Sequence, residues 1–180
     1  MRSACALALT LGVAACSGGP QIPREPDEYV GCATDENWQT FDTTPDTVSD
    51  SQSPLITAPA ANASLSSSAP PTFSWQMSST MVGTPAGDVA MSCAQWNEGF
   101  TELHLPPISG DVYDLQFSFD GAVQHRALTT LQQWTASAET WQKMDGHKIS
   151  FALRRMTLVD NEPQGGPYIA TAPTDYSVGP

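Results

Sequence analysis

The fold is decided by the segment Val112–Phe119, which reads Val-Tyr-Asp-Leu-Gln-Phe-Ser-Phe and is followed by Asp120-Gly121. Apolar side chains stand at every second position, which is the period of a β-strand with one buried face. The side chains predicted to be buried are Tyr113, Leu115, Phe117 and Phe119. The alternate side chains are predicted to face water: Asp114, Gln116 and Ser118. Because Asp120-Gly121 tolerates positive φ, the chain is predicted to return as a hairpin partner over residues 123–128.

Further strands are predicted on both sides of this hairpin. Upstream, Phe73 and Trp75 alternate with polar residues just after Pro70-Pro71, which indicates a short strand behind a proline stop. Downstream, the period of two returns in three apolar residues, Ile149, Phe151 and Leu153. A turn over residues 161–167 precedes the last predicted strands, at about 168–171 and 176–178.

One irregularity and one helical turn interrupt this β pattern. After Arg154-Arg155 the apolar positions shift by one, to Met156 and Leu158, which predicts a β-bulge at the two arginines. Ser137 is predicted to cap a single helical turn. No segment carries sustained helical periodicity. The sequence therefore predicts an all-β fold, and a β-sandwich is the architecture that such short strands favour.

The N-terminus carries an export signal. Arg2 is followed by an apolar, uncharged stretch from Ala4 to Ala15, which is the plan of a secretory signal peptide. A dozen residues are too few to span about 30 Å of hydrocarbon. Residues 1–15 are therefore predicted to be removed rather than kept as an anchor.

The residues at the expected cleavage site are Val13-Ala14-Ala15-Cys16. They resemble the lipobox of bacterial lipoproteins, and this resemblance implies that Cys16 accepts lipid and becomes the mature N-terminus. Ser17 at the next position implies sorting to the outer membrane of a Gram-negative cell envelope. Val-Ala-Ala also fits an ordinary signal-peptidase site, so simple secretion is the alternative.

Charge and composition limit the partners. The chain has 19 acidic and 7 basic residues, a formal net charge of −12. This balance disfavours nucleic acid and anionic lipid headgroups. The membrane is therefore expected as a partner only through the lipid anchor, and the remaining partner is an unidentified envelope protein or a glycan.

Two cysteines remain after the signal peptide and the lipidated residue are set aside. In an exported compartment, Cys32 and Cys93 are predicted to form one disulfide. The alternatives are two free thiols or half of a metal site, but no second Cys or His pair stands at zinc spacing. No metal and no cofactor are predicted.

Residues 16–54 are predicted to be the lipidated N-terminus and a flexible linker, because Ser, Gly, Pro, Asp and Thr dominate them. Within this segment some residues are able to pin the chain onto the domain: Tyr29, Cys32, Trp38 and Phe41. The acids between residues 35 and 50 lack the pattern of a calcium loop. A solvated linker is therefore expected there, with the domain over residues 55–180.

The order of landmarks in residues 55–180 resembles a fibronectin type III or immunoglobulin-like module. A proline-bounded strand at Leu55–Pro59 is followed by an inward tryptophan, Trp75, and by a Tyr-x-Leu strand at Tyr113–Leu115. Met144–Phe151 and Asp175–Val178 look like the later strands of such modules. The resemblance implies a single immunoglobulin/fibronectin III-like β-sandwich.

A long insertion at about residues 77–111 departs from that family, which usually has a short turn there. It contains Cys93, Trp96, Phe100 and His104. A loop of this length is often functional, so the insertion is the expected interaction surface. The alternative is that its apolar residues cover an open end of the sandwich.

Sequence motifs do not indicate catalysis. No Gly-x-Ser-x-Gly, His-Glu-x-x-His or phosphate-binding glycine loop occurs, and His125 is expected to be a solvent-facing strand residue. The predicted function is therefore a non-catalytic β-sandwich in binding or a structural role at the membrane surface. A carbohydrate-binding module is the alternative, and a hydrolase is a more remote one. The candidate binding residues are Trp96, Phe100, Trp134 and Trp141, although a core position is the preferred interpretation of each tryptophan.

Overall fold

A computed structural model of the chain describes residues 25–77 and 107–180. Two helices lie in these ranges, α1 (Asp35–Thr43) and α2 (Ala138–Gln142). The strands in the same ranges are β1 (Glu28–Val30), β2 (Thr47–Val48), β3 (Pro54–Ala58), β4 (Ser64–Ser66), β5 (Thr72–Met77), β6 (Gly110–Phe119), β7 (Ala122–Thr129), β8 (Gln133–Thr135), β9 (Lys148–Val159), β10 (Glu162–Ile169) and β11 (Thr174–Gly179).

The strands form two sheets that pack against each other. The large sheet has the order β1-β7-β6-β9-β10-β2, and β11 pairs with the first part of β9 and with β4. The small sheet has the order β3-β5-β8. The predicted all-β sandwich is therefore confirmed. The hairpin predicted after residue 119 is also present, with φ of 53° at Asp120 and 79° at Gly121.

Aromatic rings fill the space between the two sheets. Phe73 of the small sheet lies at the centre, with its ring centroid 5.2 Å from that of Phe117 and 5.1 Å from that of Phe151. Tyr113, Leu115 and Ile149 are fully buried in the same core, as the period of two predicts. We call the face of the large sheet that carries these residues its inner face.

The opposite, outer face of the large sheet is also buried. Residues that alternate with the inner set form a second apolar cluster with the N-terminal segment: Cys32, Ala33, Trp38, Phe41, Ile108, Val112, Leu128, Met156 and Leu158. On either side of this cluster, β1 pairs in parallel with β7, and β2 pairs in parallel with β10. The structure therefore differs from the expected linker over residues 16–54, because the chain from residue 28 onwards is packed onto the sheet.

Helix α1 was not predicted, and its local sequence explains it. The Thr34 side chain accepts from the backbone N–H of Asn37, and the Asn37 side chain accepts from the Thr34 N–H, which is a capping box. Asp35 and Glu36 occupy the first turn, where negative charge is favourable. Trp38 and Phe41 then share one buried face. Nine residues are too short for the sustained periodicity that the sequence analysis required.

Strand β9 has no bulge at the two arginines. Its register with β6 is continuous from Gly110 opposite Leu158 to Ser118 opposite Ser150, so the predicted bulge is wrong. The apolar residues of β9 move from one face of the strand to the other because a different layer covers each half of the strand. The small sheet covers the inner face of the first half of β9, whereas the N-terminal segment covers the outer face of the second half. The irregularity next to β9 lies in β10, whose register with β9 shifts twice between residues 163 and 168.

Candidate functional site

Most of the predicted site residues lie outside the described ranges. Cys16, Cys93, Trp96 and Phe100 all do so, as does nearly all of the predicted insertion.

Trp134 and Trp141 are core residues rather than a binding surface. Their exposed fractions are 3% and 1%. The Trp134 indole N–H donates to Glu28 Oε1 at 2.9 Å, and the Trp141 N–H donates to the Ser66 carbonyl at 2.9 Å. Because both rings are covered and both N–H groups have acceptors, neither indole offers a face for a sugar ring. The binding hypothesis is wrong for these two residues, and the core alternative is correct.

Cys32 lies directly after β1, in the outer-face cluster, and is 1% exposed. It is a disulfide-bonded cysteine, and its backbone N–H donates to Thr130 Oγ1 at 3.1 Å. The other half of the bond lies outside the described residues. The pairing of Cys32 with Cys93 therefore stays a prediction.

A polar pocket of about 490 Å³ lies where β1 meets β7. Its floor is His125, whose Nε2 lies 3.0 Å from Glu28 Oε1 and whose Nδ1 lies 3.4 Å from Asp27 Oδ2. The imidazole also stacks on Trp134, with ring centroids 5.5 Å apart. The prediction that His125 faces solvent is wrong, because β1 covers this strand edge and brings two acids over the ring.

The acids of this pocket already have partners within the protein. Glu28 Oε1 is shared by His125 and Trp134, and Asp27 Oδ2 accepts the backbone N–H of Arg126 at 2.8 Å. These contacts fasten β1 to the sheet. Within residues 25–77 and 107–180, no group of three potential metal ligands is assembled.

A buried ion cluster lies on the outer face of the large sheet. Asp114, predicted to face water, has no exposed surface. Arg126 Nε donates to Asp114 Oδ1 at 2.7 Å and Arg154 Nη1 donates to Asp114 Oδ2 at 2.8 Å. Arg154 Nε also donates to Asp46 at 2.9 Å. The expected exposure of Asp114 is therefore wrong, and Asp46 belongs to this cluster rather than to a solvated linker.

The cluster keeps its charges and holds helix α1. Burial alone would raise the pKa of Asp114, but the hydrogen bond and charge of Arg126, with the charge of Arg154, hold that pKa below its usual value. The Arg126 guanidinium carbon lies 3.9 Å from the centroid of the Trp38 ring. The guanidinium carbon of Arg154 lies 5.3 Å from the centroid of the Phe41 ring. Both arginines therefore bind a carboxylate on the sheet and an aromatic ring on the helix.

An apolar groove of about 450 Å³ lies between β3 and the turn that joins β10 to β11. Strand β10 pairs with β9 as far as Arg154, and β11 pairs with β9 only up to Phe151. The groove opens in the gap between these two pairings, so Ala152 and Leu153 form part of its floor. Its rim includes Val48 and Leu55, which are 64% and 55% exposed. The groove is therefore an exposed and largely apolar surface among the described residues.

Sequence reasoning missed both the ion cluster and the groove. A signal for the cluster was present, because Arg126 and Arg154 stand among apolar strand residues in a chain with 7 basic residues. The groove has no sequence signal, since it arises from the gap between two strands that pair with β9 at different positions.

Comparison with known proteins gives no relative. No protein-family model, no curated protein and no solved structure matches this chain. Among the described residues there is no helix with the length and apolar character needed to cross a bilayer.

Proposed function

We propose that this chain is a lipid-anchored protein of a bacterial cell envelope, sorted to the outer membrane, whose β-sandwich acts by contact with another envelope protein and not by catalysis. The observation that carries the proposal is the N-terminal sequence, in which a charge, an apolar stretch and Val13-Ala14-Ala15-Cys16 follow in order. Two acyl chains are enough for stable anchoring without any membrane-binding protein surface.

The position of the folded residues supports a short tether. The twelve peptide units from residue 16 to the start of β1 at residue 28 reach at most roughly 40 Å. Chain already packed on the large sheet begins at β1, so a lipid on Cys16 would keep the domain close to the bilayer surface.

The strand arrangement supports the immunoglobulin/fibronectin III-like family. In constant-type immunoglobulin sandwiches the first, second and fifth strands share one sheet, and the third, sixth and seventh strands form the other. Here β3, β5 and β8 form the small sheet, while β6, β7 and β9 lie together in the large one. The proposed module includes the packed N-terminal segment as an additional layer.

Contact with a protein is favoured over contact with a glycan. The rings of Trp134 and Trp141 are buried, so they no longer support a carbohydrate-binding module. The groove between β3 and the β10–β11 turn is apolar and has two exposed aliphatic side chains at its rim. Large exposed aliphatic side chains gathered in one place are typical of protein contact sites.

The anchoring is tested by replacing Cys16 with serine and following the protein in fractionated cells. Cys16→Ser removes the lipid-accepting thiol, so it should abolish labelling with radioactive palmitate, leave the signal uncleaved at this site and release the chain from outer-membrane fractions. Cys5→Ser is the matched control, because it removes a cysteine of the same signal peptide and should change none of these results. Unchanged labelling and fractionation of Cys16→Ser would contradict the proposal.

A further inference from the structure

We propose that the outer edge of β3 is a strand-addition site, which takes a short, extended and uncharged segment of a partner protein. The inference deepens the part of the proposed function that concerns contact with a protein, on which it rests, by naming the surface and the kind of partner. Strand β3 is the last strand of the small sheet, with β5 on one side. Among the described residues, no strand pairs with its other side.

By alternation, the backbone groups at this edge are the N–H and C=O of Ile56 and the C=O of Pro54, and the register of β3 with β5 is irregular directly after Ile56. The Trp75 N–H donates to the Gln132 carbonyl at 3.2 Å, on the β8 side of β5. Backbone groups alternate along a strand, so those of Gln76 point to β3 and meet Leu55, its partner in the register. The N–H and C=O of Ile56 therefore point away from β5, towards the edge at which no described strand pairs. An added strand would pair with these groups.

The groove beside this edge selects the side chains of the added strand. Its lining of described residues contains no charged side chain and includes Leu55, Ile56, Ala152, Leu153 and Ile169. A strand presents every second side chain to one side. Backbone hydrogen bonds would give such a segment its affinity, and apolar residues at alternate positions would fill the groove.

Charge and prolines favour a foreign segment over a second copy. A second copy would bring the same net charge of −12, and like-charge approach opposes association. Prolines limit strand pairing because they lack an N–H and stand at strand ends. Pro54 begins β3, and Pro59 follows its last residue. The partner segment is therefore short, and its flanks are neutral or basic.

The test uses the purified full chain and a synthetic probe peptide of sequence Lys-Thr-Val-Thr-Val-Thr-Val-Lys, blocked at both ends and labelled with a fluorophore. Fluorescence anisotropy should show saturable binding. Hydrogen–deuterium exchange should show slower exchange in the segment 54–58 and no comparable change in β7. A control peptide with proline in place of the central valine should bind at least tenfold more weakly, because it cannot complete the strand.

Two surface variants separate the groove from general charge effects. Leu55→Lys places a charge at the rim of the groove and should weaken probe binding at least tenfold. Val159→Lys is the matched control, because Val159 is also an exposed aliphatic residue, 47% exposed, and does not line the groove. It should leave binding within twofold.

Several results would overturn the proposal. These are no probe binding at millimolar concentration, equal weakening by the two lysine variants, and binding that leaves exchange in 54–58 unchanged. Dimers in sedimentation that Leu55→Lys abolishes would assign the edge to a second copy instead. Neither measurement depends on the lipid, so failure here leaves the anchoring proposal standing, and failure of the Cys16→Ser test leaves this one standing.

Discussion

Each face of the large sheet is buried over part of its area, and the two buried parts are built from different chemistry. The inner face meets the small sheet through aromatic rings around Phe73, which lies within 6.3 Å of five other ring centroids. The outer face meets one helix and the chain around it, and at its centre lie Asp114, Arg126 and Arg154. The inner face is stabilised by buried apolar area, whereas the outer face has a buried ion cluster that apolar residues surround.

This difference shows that the covering layer, and not residue polarity alone, decides which side of a strand is buried. Removing ions from water is costly, and a buried ion cluster often contributes little net stability compared with apolar residues of the same shape. Its effect here is positional, because each arginine contacts both a carboxylate and a ring of α1. The cluster therefore fixes where the N-terminal segment docks.

The largest loss of stability is expected from a substitution on the inner face. Phe73→Ala removes the ring at the centre of the aromatic core and leaves a cavity, which should lower the free energy of unfolding by about 4–5 kcal/mol. Urea unfolding followed by tryptophan fluorescence measures this loss. Leu55→Ala, on an exposed side chain of the same sheet, should change it by less than about 0.5 kcal/mol. A loss below about 2 kcal/mol for Phe73→Ala would contradict the central role of this ring.

The next largest loss of stability is expected from a substitution on the outer face. Asp114→Ala leaves two buried guanidinium groups without their shared carboxylate, which should cost about 3–4 kcal/mol. Asp175→Ala is the control, since it removes the carboxylate of an exposed pair with Lys148, and its unfolding midpoint in urea should be nearly that of the native chain. If the two alanine variants unfold at the same urea concentration, the cluster does not stabilise the docked segment.

Acid should destabilise the outer face more than the inner face, because the inner-face ring cluster around Phe73 contains no carboxylate. The pKa of Asp114 is lowered in the folded chain, so its stabilisation is fully present above the unfolded pKa of about 3.9 and is lost as the pH falls through the folded pKa. The urea concentration at the unfolding midpoint of the native chain should therefore decrease as the pH is lowered below about 4. Asp114→Asn should flatten this dependence between pH 4 and pH 2, and an unchanged slope would show that other groups cause the acid response.

The smallest effect concerns the helix that covers the outer face. Thr34→Ala removes the N-cap of α1 and should cost about 1 kcal/mol, with faster amide exchange confined to residues 35–43. Thr43→Ala is the control at the other end of the helix, where the hydroxyl bonds only to carbonyls of its own helix. It should cost less than about 0.5 kcal/mol. Equal losses from the two variants would show that the cap is not what starts the helix.

The residues on the inner face of the large sheet were predictable from local sequence. Alternation in Val112–Phe119, the Asp120-Gly121 turn and the inward position of Trp75 were all predictable, because each depends on neighbouring residues or on a single apolar face. The outer half was not predictable in this way. Asp114 and Arg126 have the polarity of solvent-facing residues, and only a segment some eighty residues earlier in the chain covers them.

The candidate site was predicted less well for the same reason. Sequence cannot show whether an indole such as Trp134 or Trp141 lies under another layer, and it cannot show a groove created by a gap between β10 and β11. One missed feature did have a local signal. Thr34-Asp35-Glu36-Asn37 has the acids and the reciprocal capping residues that start helices, although the helix that follows has only nine residues.

The parallel pairing of β1 with β7 gives the domain a defined mechanical entry point. Any force on the chain before residue 25 reaches β1 first, where Asp27 and Glu28 are fastened to Arg126, His125 and Trp134. A pull along the axis of this three-residue strand loads its few bonds together, in shear. The next attachment is the disulfide-bonded Cys32, which precedes helix α1 and its two arginines. The N-terminal layer therefore takes up a pull on the chain before the aromatic core does.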